Sequence, residues 1–113
     1  MMTPANPGCS TAEHLFPIHV PPPVRDEAIA RLNAAGVNVT VNYRSVPDTQ
    51  YYREKYGYTP EQFPVSYAWG EGEITLPLYE RLERGQQDRV IDAVRGLSDL
   101  IASEQAAVEH HAI

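Results

Sequence analysis

Cysteine is nearly absent from this chain. Cys9 is the single thiol, so no intrachain disulfide closes and no CxxC metal site exists. That fits a reducing, cytoplasmic setting. Lysine is equally scarce, with Lys55 the only one. Eight arginines are scattered among fifteen acids, for a formal net charge of −6. A general binder of nucleic-acid backbones needs a basic stripe, and none is present. The plain reading of the acidity is solubility. No apolar run approaches the ~20 residues of a membrane helix. Met1 to Ser10 has neither a basic start nor an apolar stretch, so it does not read as a secretory signal.

What is present suffices for one domain. The 113 residues support a single modest core. The ten prolines cluster, as they do at turns and linkers. Residues 1–12 lack apolar periodicity and read as a disordered lead-in. His14 to Val20 reads as a strand, and Pro17 within it argues for an edge or a bulge. Pro21–Pro23 stop it. Val24 to Ala35 reads as a helix with Val24, Ala28, Leu32 and Ala35 on one face. Gly36 is its expected C′ residue.

Val37 to Tyr43 is the clearest expected strand, because Val37, Val39, Val41 and Tyr43 alternate with Asn38, Thr40 and Asn42. Thr49 to Tyr56 reads as a short helix ending at Gly57. Pro60 to Pro64 reads as a loop and Val65 to Trp69 as a helical turn. Gly70 to Glu73 reads as a solvated turn, Ile74 to Leu78 as a short strand, and Gln86 to Ile101 as the last helix. The tail, residues 102–113, has little to pack and is expected to fray. The domain proper is residues 13–101. The fold class is α+β, with a small sheet of three to four strands and helices on one face.

Several strings occur in a telling order: His14-Leu15-Phe16-Pro17-Ile18, Arg25-Asp26, Ala35-Gly36-Val37 and Val41-Asn42-Tyr43-Arg44. Tyr51-Tyr52-Arg53-Glu54, Phe63-Pro64-Val65, Leu76-Pro77-Leu78-Tyr79 and Val90-Ile91-Asp92-Ala93-Val94 follow. Together they resemble the C-terminal domain of the DegT/DnrJ/StrS family of sugar aminotransferases, which use pyridoxal phosphate. The resemblance implies transamination of nucleotide-linked keto-sugars by a complete enzyme whose larger domain holds the cofactor. It implies that this chain holds none by itself and supplies no catalytic residue. Lys55, in a surface-helix pattern, does not look like a Schiff-base lysine.

By the same resemblance, Asn42, Tyr43 and Arg44 face the sugar-nucleotide cleft. An amide, a phenol and a guanidinium are suited to phosphate or sugar hydroxyls. The structural alternative makes Tyr43 half-buried core, leaves Asn42 on the open face and pairs Arg44 with a nearby acid. Many family members carry a histidine where Pro47 stands here. They also carry a Ser or Thr helix cap where this chain has Glu83, Arg84 and Gly85, so a lost cap is expected.

Tyr51, Tyr52, Tyr56 and Tyr58 read as packing of a short helix onto the sheet, with a stacking platform for a base as the alternative. His14 and His19 fall on opposite strand faces and do not suggest a shared metal. His110 and His111 read as surface residues. The resulting expectation is a truncated or split aminotransferase with a cofactor-domain chain or a full-length relative as partner, and with self-association. A stand-alone interaction or ligand-binding module, or a non-catalytic remnant, remain the alternatives.

Overall fold

The computed structural model describes residues 6–111, with side chains through residue 106. Strand β1, Phe16–His19, pairs antiparallel with β2, Glu73–Leu76, and Pro17 stands opposite Thr75. Proline cannot donate to a ladder. Here it has no need to, because Thr75 turns both its backbone groups the other way. Thr75 N donates to Thr40 O at 2.7 Å, and Thr40 N donates to Thr75 O at 3.2 Å. Pro17 therefore lies in an edge strand, as its presence predicts.

The sheet has two strands, not three or four, and Val37–Tyr43 contributes only the isolated Thr40–Thr75 bridge. The register explains why. In an antiparallel pair the next mutually bonded positions lie two residues away on each strand. On one side Asn38 would face Pro77, which has no N–H to give. On the other, Asn42 N donates at 2.7 Å to the Glu73 side chain rather than to its backbone. The ladder is blocked at both ends after one rung.

After a 3-10 turn at Pro22–Val24, helix α1 spans Arg25–Ala34, with Asp26 and Glu27 in the first turn, where the helix dipole favours acids. It ends in a full Schellman motif. Gly36 N donates to Asn33 O at 3.0 Å and Val37 N to Leu32 O at 2.9 Å, with Gly36 at φ +82°. Glycine adopts that φ without strain, and the motif buries Val37 beside Leu32. The core is Ile18, Val20, Val24, Ala28, Leu32, Val37, Ile74, Leu76 and Leu97. Each fully buried aliphatic side chain contributes roughly 1.5–3 kcal/mol.

Helix α2, Gln50–Tyr56, ends at Gly57 in the left-handed conformation. Helix α3 runs from Pro64 to Gly72, longer than the single turn expected. The segment before it, Pro60–Gln62, is a 3-10 turn with a capping box between Thr59 and Gln62. The last expected helix is two helices, α4 at Arg84–Arg95 and α5 at Ser98–His111. Gly96, a poor helix residue, and buried Leu97 form the break. Backbone helix thus continues through much of the segment expected to fray, while the side chains of His110 and His111 lie outside the described residues. Residues 6–12 form no regular element.

Nor is the α4 cap lost. Glu83 and Gln86 form a capping box, with Glu83 N donating to Gln86 Oε1 at 2.9 Å. A carboxylate at the N-cap does the work of the missing hydroxyl.

Candidate functional site

Asn42, Tyr43 and Arg44 line a cleft of about 410 Å³. Ser45 continues that wall, and Ser66, Trp69 and Gly70 of α3 form another. Pro17, His19 and Glu73 complete it from the sheet. Helix α3 therefore borders the cleft, while Ile18 and Leu76 open instead onto a second, apolar cavity shared with Val90, Ile91 and Val94 of α4. Adjacent strand residues point to opposite faces, so the helices are not confined to one face of the sheet.

Two glycines let α3 approach so closely. A Cβ on Gly70 would lie 2.6 Å from Ser45 N, and one on Gly72 would lie 2.5 Å from Val20 O. Neither distance is tolerable for a side chain, so α3 meets these backbones only because both positions lack one. Ser45 Oγ and Ser66 Oγ share a hydrogen bond of 2.7 Å, and Arg25 Nη1 donates to Gly70 O at 3.0 Å. Val20 N donates to Gly72 O at 2.9 Å, extending the β1–β2 register by one rung.

Glu73 is 5% exposed. One of its carboxyl oxygens accepts from Asn42 N and the other from Thr75 Oγ1. The Gly70–Glu73 segment is thus a helix end and a buried strand start, not a solvated turn. Glycines and glutamates in alternation, as in Gly70-Glu71-Gly72-Glu73, are ordinarily a loop signal. Here the surrounding donors satisfy the buried group.

The three candidate residues differ in their surroundings. Tyr43 is 72% exposed and is no part of the core. Asn42 is half-buried, with its Nδ2 donating to Thr40 Oγ1 at 3.3 Å. Arg44 is exposed and pairs with Asp48 at 3.4 Å, as the structural alternative held. Pro47 lies in the 3-10 turn Val46–Asp48 next to them. His19 and Trp69, which sequence reasoning did not assign to the site, meet edge to face with ring centroids 3.7 Å apart. Burial holds the His19 imidazole below its ordinary pKa, favouring the neutral ring.

The tyrosines do not pack α2 onto the sheet. No residue of α2 is buried. Tyr51, Tyr52, Tyr56, Tyr58 and Phe63 instead contact one another in series, at centroid spacings from 5.0 to 5.8 Å. Lys55 is exposed, donates to Tyr51 Oη at 2.9 Å and lies 5.4 Å from the Tyr51 and Tyr56 ring centroids. It does not line the cleft. A Schiff-base lysine needs a desolvated pocket that grips the cofactor. The only lysine of this chain, exposed and outside the cleft, does not fit that role.

A small α+β domain with a cleft beside a short sheet is the class that fold and site define. The model of the DegT/DnrJ/EryC1/StrS aminotransferase family matches residues 1–95. The solved chains similar to this one include Spr1654 of Streptococcus pneumoniae, assigned as a sugar aminotransferase. Its PMP form is 28% identical, with a TM-score of 0.73, over 80% of this chain and 23% of that one. Its apo form is 24% identical, with a TM-score of 0.77, over 93% of this chain and 28% of that one. The chain belongs to the DegT/DnrJ/EryC1/StrS aminotransferase family, whose members are dependent on pyridoxal phosphate. It spans about a quarter of the solved chain it matches. Among the described residues no helix is long and apolar enough to cross a membrane.

Proposed function

We propose that this chain forms one wall of a sugar-nucleotide cleft and transaminates only when a partner supplies the cofactor-bearing part of the fold. The observation that carries the reading is the convergence of Asn42, Tyr43 and Arg44 with Ser66 and Trp69 on one cleft, while Lys55 lies elsewhere. Arg44 offers the charge for a phosphate. The Asn42 amide and the serine hydroxyls offer bonds to a sugar. Trp69 and Tyr43 offer aromatic faces. The partner is a cofactor-domain chain or a full-length relative in the cytoplasm. Exposed Phe16, Leu78 and Ile91 around the apolar cavity favour association with such a partner or with a second copy.

The test has two arms. The chain is incubated with pyridoxal phosphate, treated with borohydride and mapped by peptide mass, and it is titrated separately with UDP. The expected results are no stoichiometric adduct at Lys55, and UDP binding that weakens about tenfold or more in Arg44→Ala, the usual effect of removing a charge-assisted bond. A specific Lys55 adduct overturns the partner requirement. UDP binding that ignores Arg44→Ala overturns the cleft assignment.

A further inference from the structure

The cleft residues sit on a stretch of chain that has left the sheet. One buried side chain holds its start. Asn42 N–H, which would otherwise seek a backbone carbonyl of β2, points to Glu73 Oε2 at 2.7 Å. The other carboxyl oxygen takes the hydroxyl of Thr75, the residue that makes the only rung to Thr40. One carboxyl group therefore ties the end of the bridge to the start of the cleft wall. A buried acceptor bonded on both oxygens is costly to disturb. The bond to the Glu73 side chain ends the ladder at Asn42, where β2 itself begins, and Tyr43 and Arg44 run on beyond that point, exposed along the cleft.

We propose that Glu73 is the positioning residue of the cleft: its bond to Asn42 N–H fixes the direction of residues 42–44, and ligand affinity depends on that bond. The second half rests on the proposed reading of the cleft. Glu73 itself has both oxygens engaged within the protein and is not assigned a contact with ligand.

Amide hydrogen exchange read by NMR on the 113-residue chain tests the first half, with the Leu32 and Ile74 amides as internal references. Glu73→Gln keeps a carbonyl acceptor and is expected to leave Asn42 exchange within about threefold of wild type. Glu73→Leu fills similar volume without an acceptor. It is expected to speed Asn42 exchange about tenfold or more, with the references unchanged.

A UDP titration of the same proteins, followed at the Tyr43 and Arg44 amides, tests the second half. Glu73→Leu is expected to lose about fivefold or more in affinity, and Glu73→Gln is expected to recover most of it. Should Glu73→Leu unfold, which loss of protection at Leu32 and Ile74 reveals, Glu73→Asp replaces it. That variant keeps the carboxyl group but withdraws it by one methylene, and it must loosen Asn42 selectively. Unchanged Asn42 exchange in the Leu or Asp variant overturns the proposal, as does equal UDP affinity despite a loosened Asn42. A wild-type chain that ignores UDP overturns the cleft reading and the ligand half, while exchange at Asn42 alone decides the positioning half.

Discussion

Glu73 and Ile74 are neighbours in a four-residue strand, and both are buried, yet different forces hold them there. Ile74 joins Leu32, Ile18 and Leu97 in a core built by apolar burial. Such a core is tolerant of sequence so long as volume and pattern are kept. Glu73 faces a region built from pairwise bonds and close backbone approaches. There Asn42 N–H, Thr75 Oγ1, the Ser45–Ser66 pair and two glycines each have a specific partner. The apolar side supplies stability. The cleft side spends specific contacts on holding a shape, as a binding site requires.

The strongest way to separate the two sides is to remove one buried group from each. Leu32 is completely buried, and it also closes the Schellman motif with Val37. Leu32→Ala is expected to cost about 2–5 kcal/mol in urea unfolding. The result should be the same with or without UDP, because the residue lies away from the cleft. A loss below about 1 kcal/mol would mean that the core collapses readily around the deletion.

Gly70→Ala makes the opposite test, adding one methyl group on the cleft side. Its Cβ would meet Ser45 N and the backbone of Arg44. None of these atoms is the mobile end of a side chain, so α3 or the 44–45 backbone must shift. A loss of about 1–3 kcal/mol is expected, together with altered amide shifts at Arg44 and Ser45 and little change at Leu32. If the cleft side is soft, the variant will instead unfold like wild type.

These two regions also differ in how well they can be read from sequence. The 3.6-residue spacing of Ala28 and Leu32, the acids at Asp26 and Glu27, and Gly36 all report local physics, and α1 with its cap follows from them. Gly57 marks the end of α2 for the same reason. The valines from Val37 onward also alternate as a strand should, but alternation only says which residues share a face. Whether the strand pairs depends on its neighbour, and that neighbour presents Pro77 on one side and the Glu73 carboxyl on the other. Asn42, Tyr43 and Arg44 were legible as chemistry. Ser66, Trp69 and Glu73 became their neighbours only through tertiary contacts that no local window contains.

A smaller effect is expected where a helix end substitutes one cap for another. Glu83→Ala removes the side-chain acceptor of the capping box at the start of α4 and leaves the Gln86 backbone N–H without it, while the bond from the residue-83 N–H to Gln86 Oε1 can remain. The expected loss is about 0.5–2 kcal/mol. Because α4 flanks the apolar cavity and not the cleft, UDP affinity should not change. A binding defect in this variant would show that the two sides of the sheet are coupled.

The smallest effect is expected at the residue the two sides share. His19 lines both cavities, contacts the Trp69 ring and stands opposite Glu73 on the neighbouring strand. Burial lowers its pKa. In the unfolded chain the imidazole titrates near its ordinary value of about 6.5. As pH falls through that value the unfolded chain takes up a proton that the folded chain resists, so stability falls. Above it both states are neutral, and this residue gives no slope. His19→Gln removes the titrating ring, and the stability profile between about pH 7 and the folded pKa should flatten relative to wild type. A profile that keeps the wild-type slope in the variant would assign the pH dependence to other groups, and would leave His19 a packing residue between the apolar cavity and the cleft.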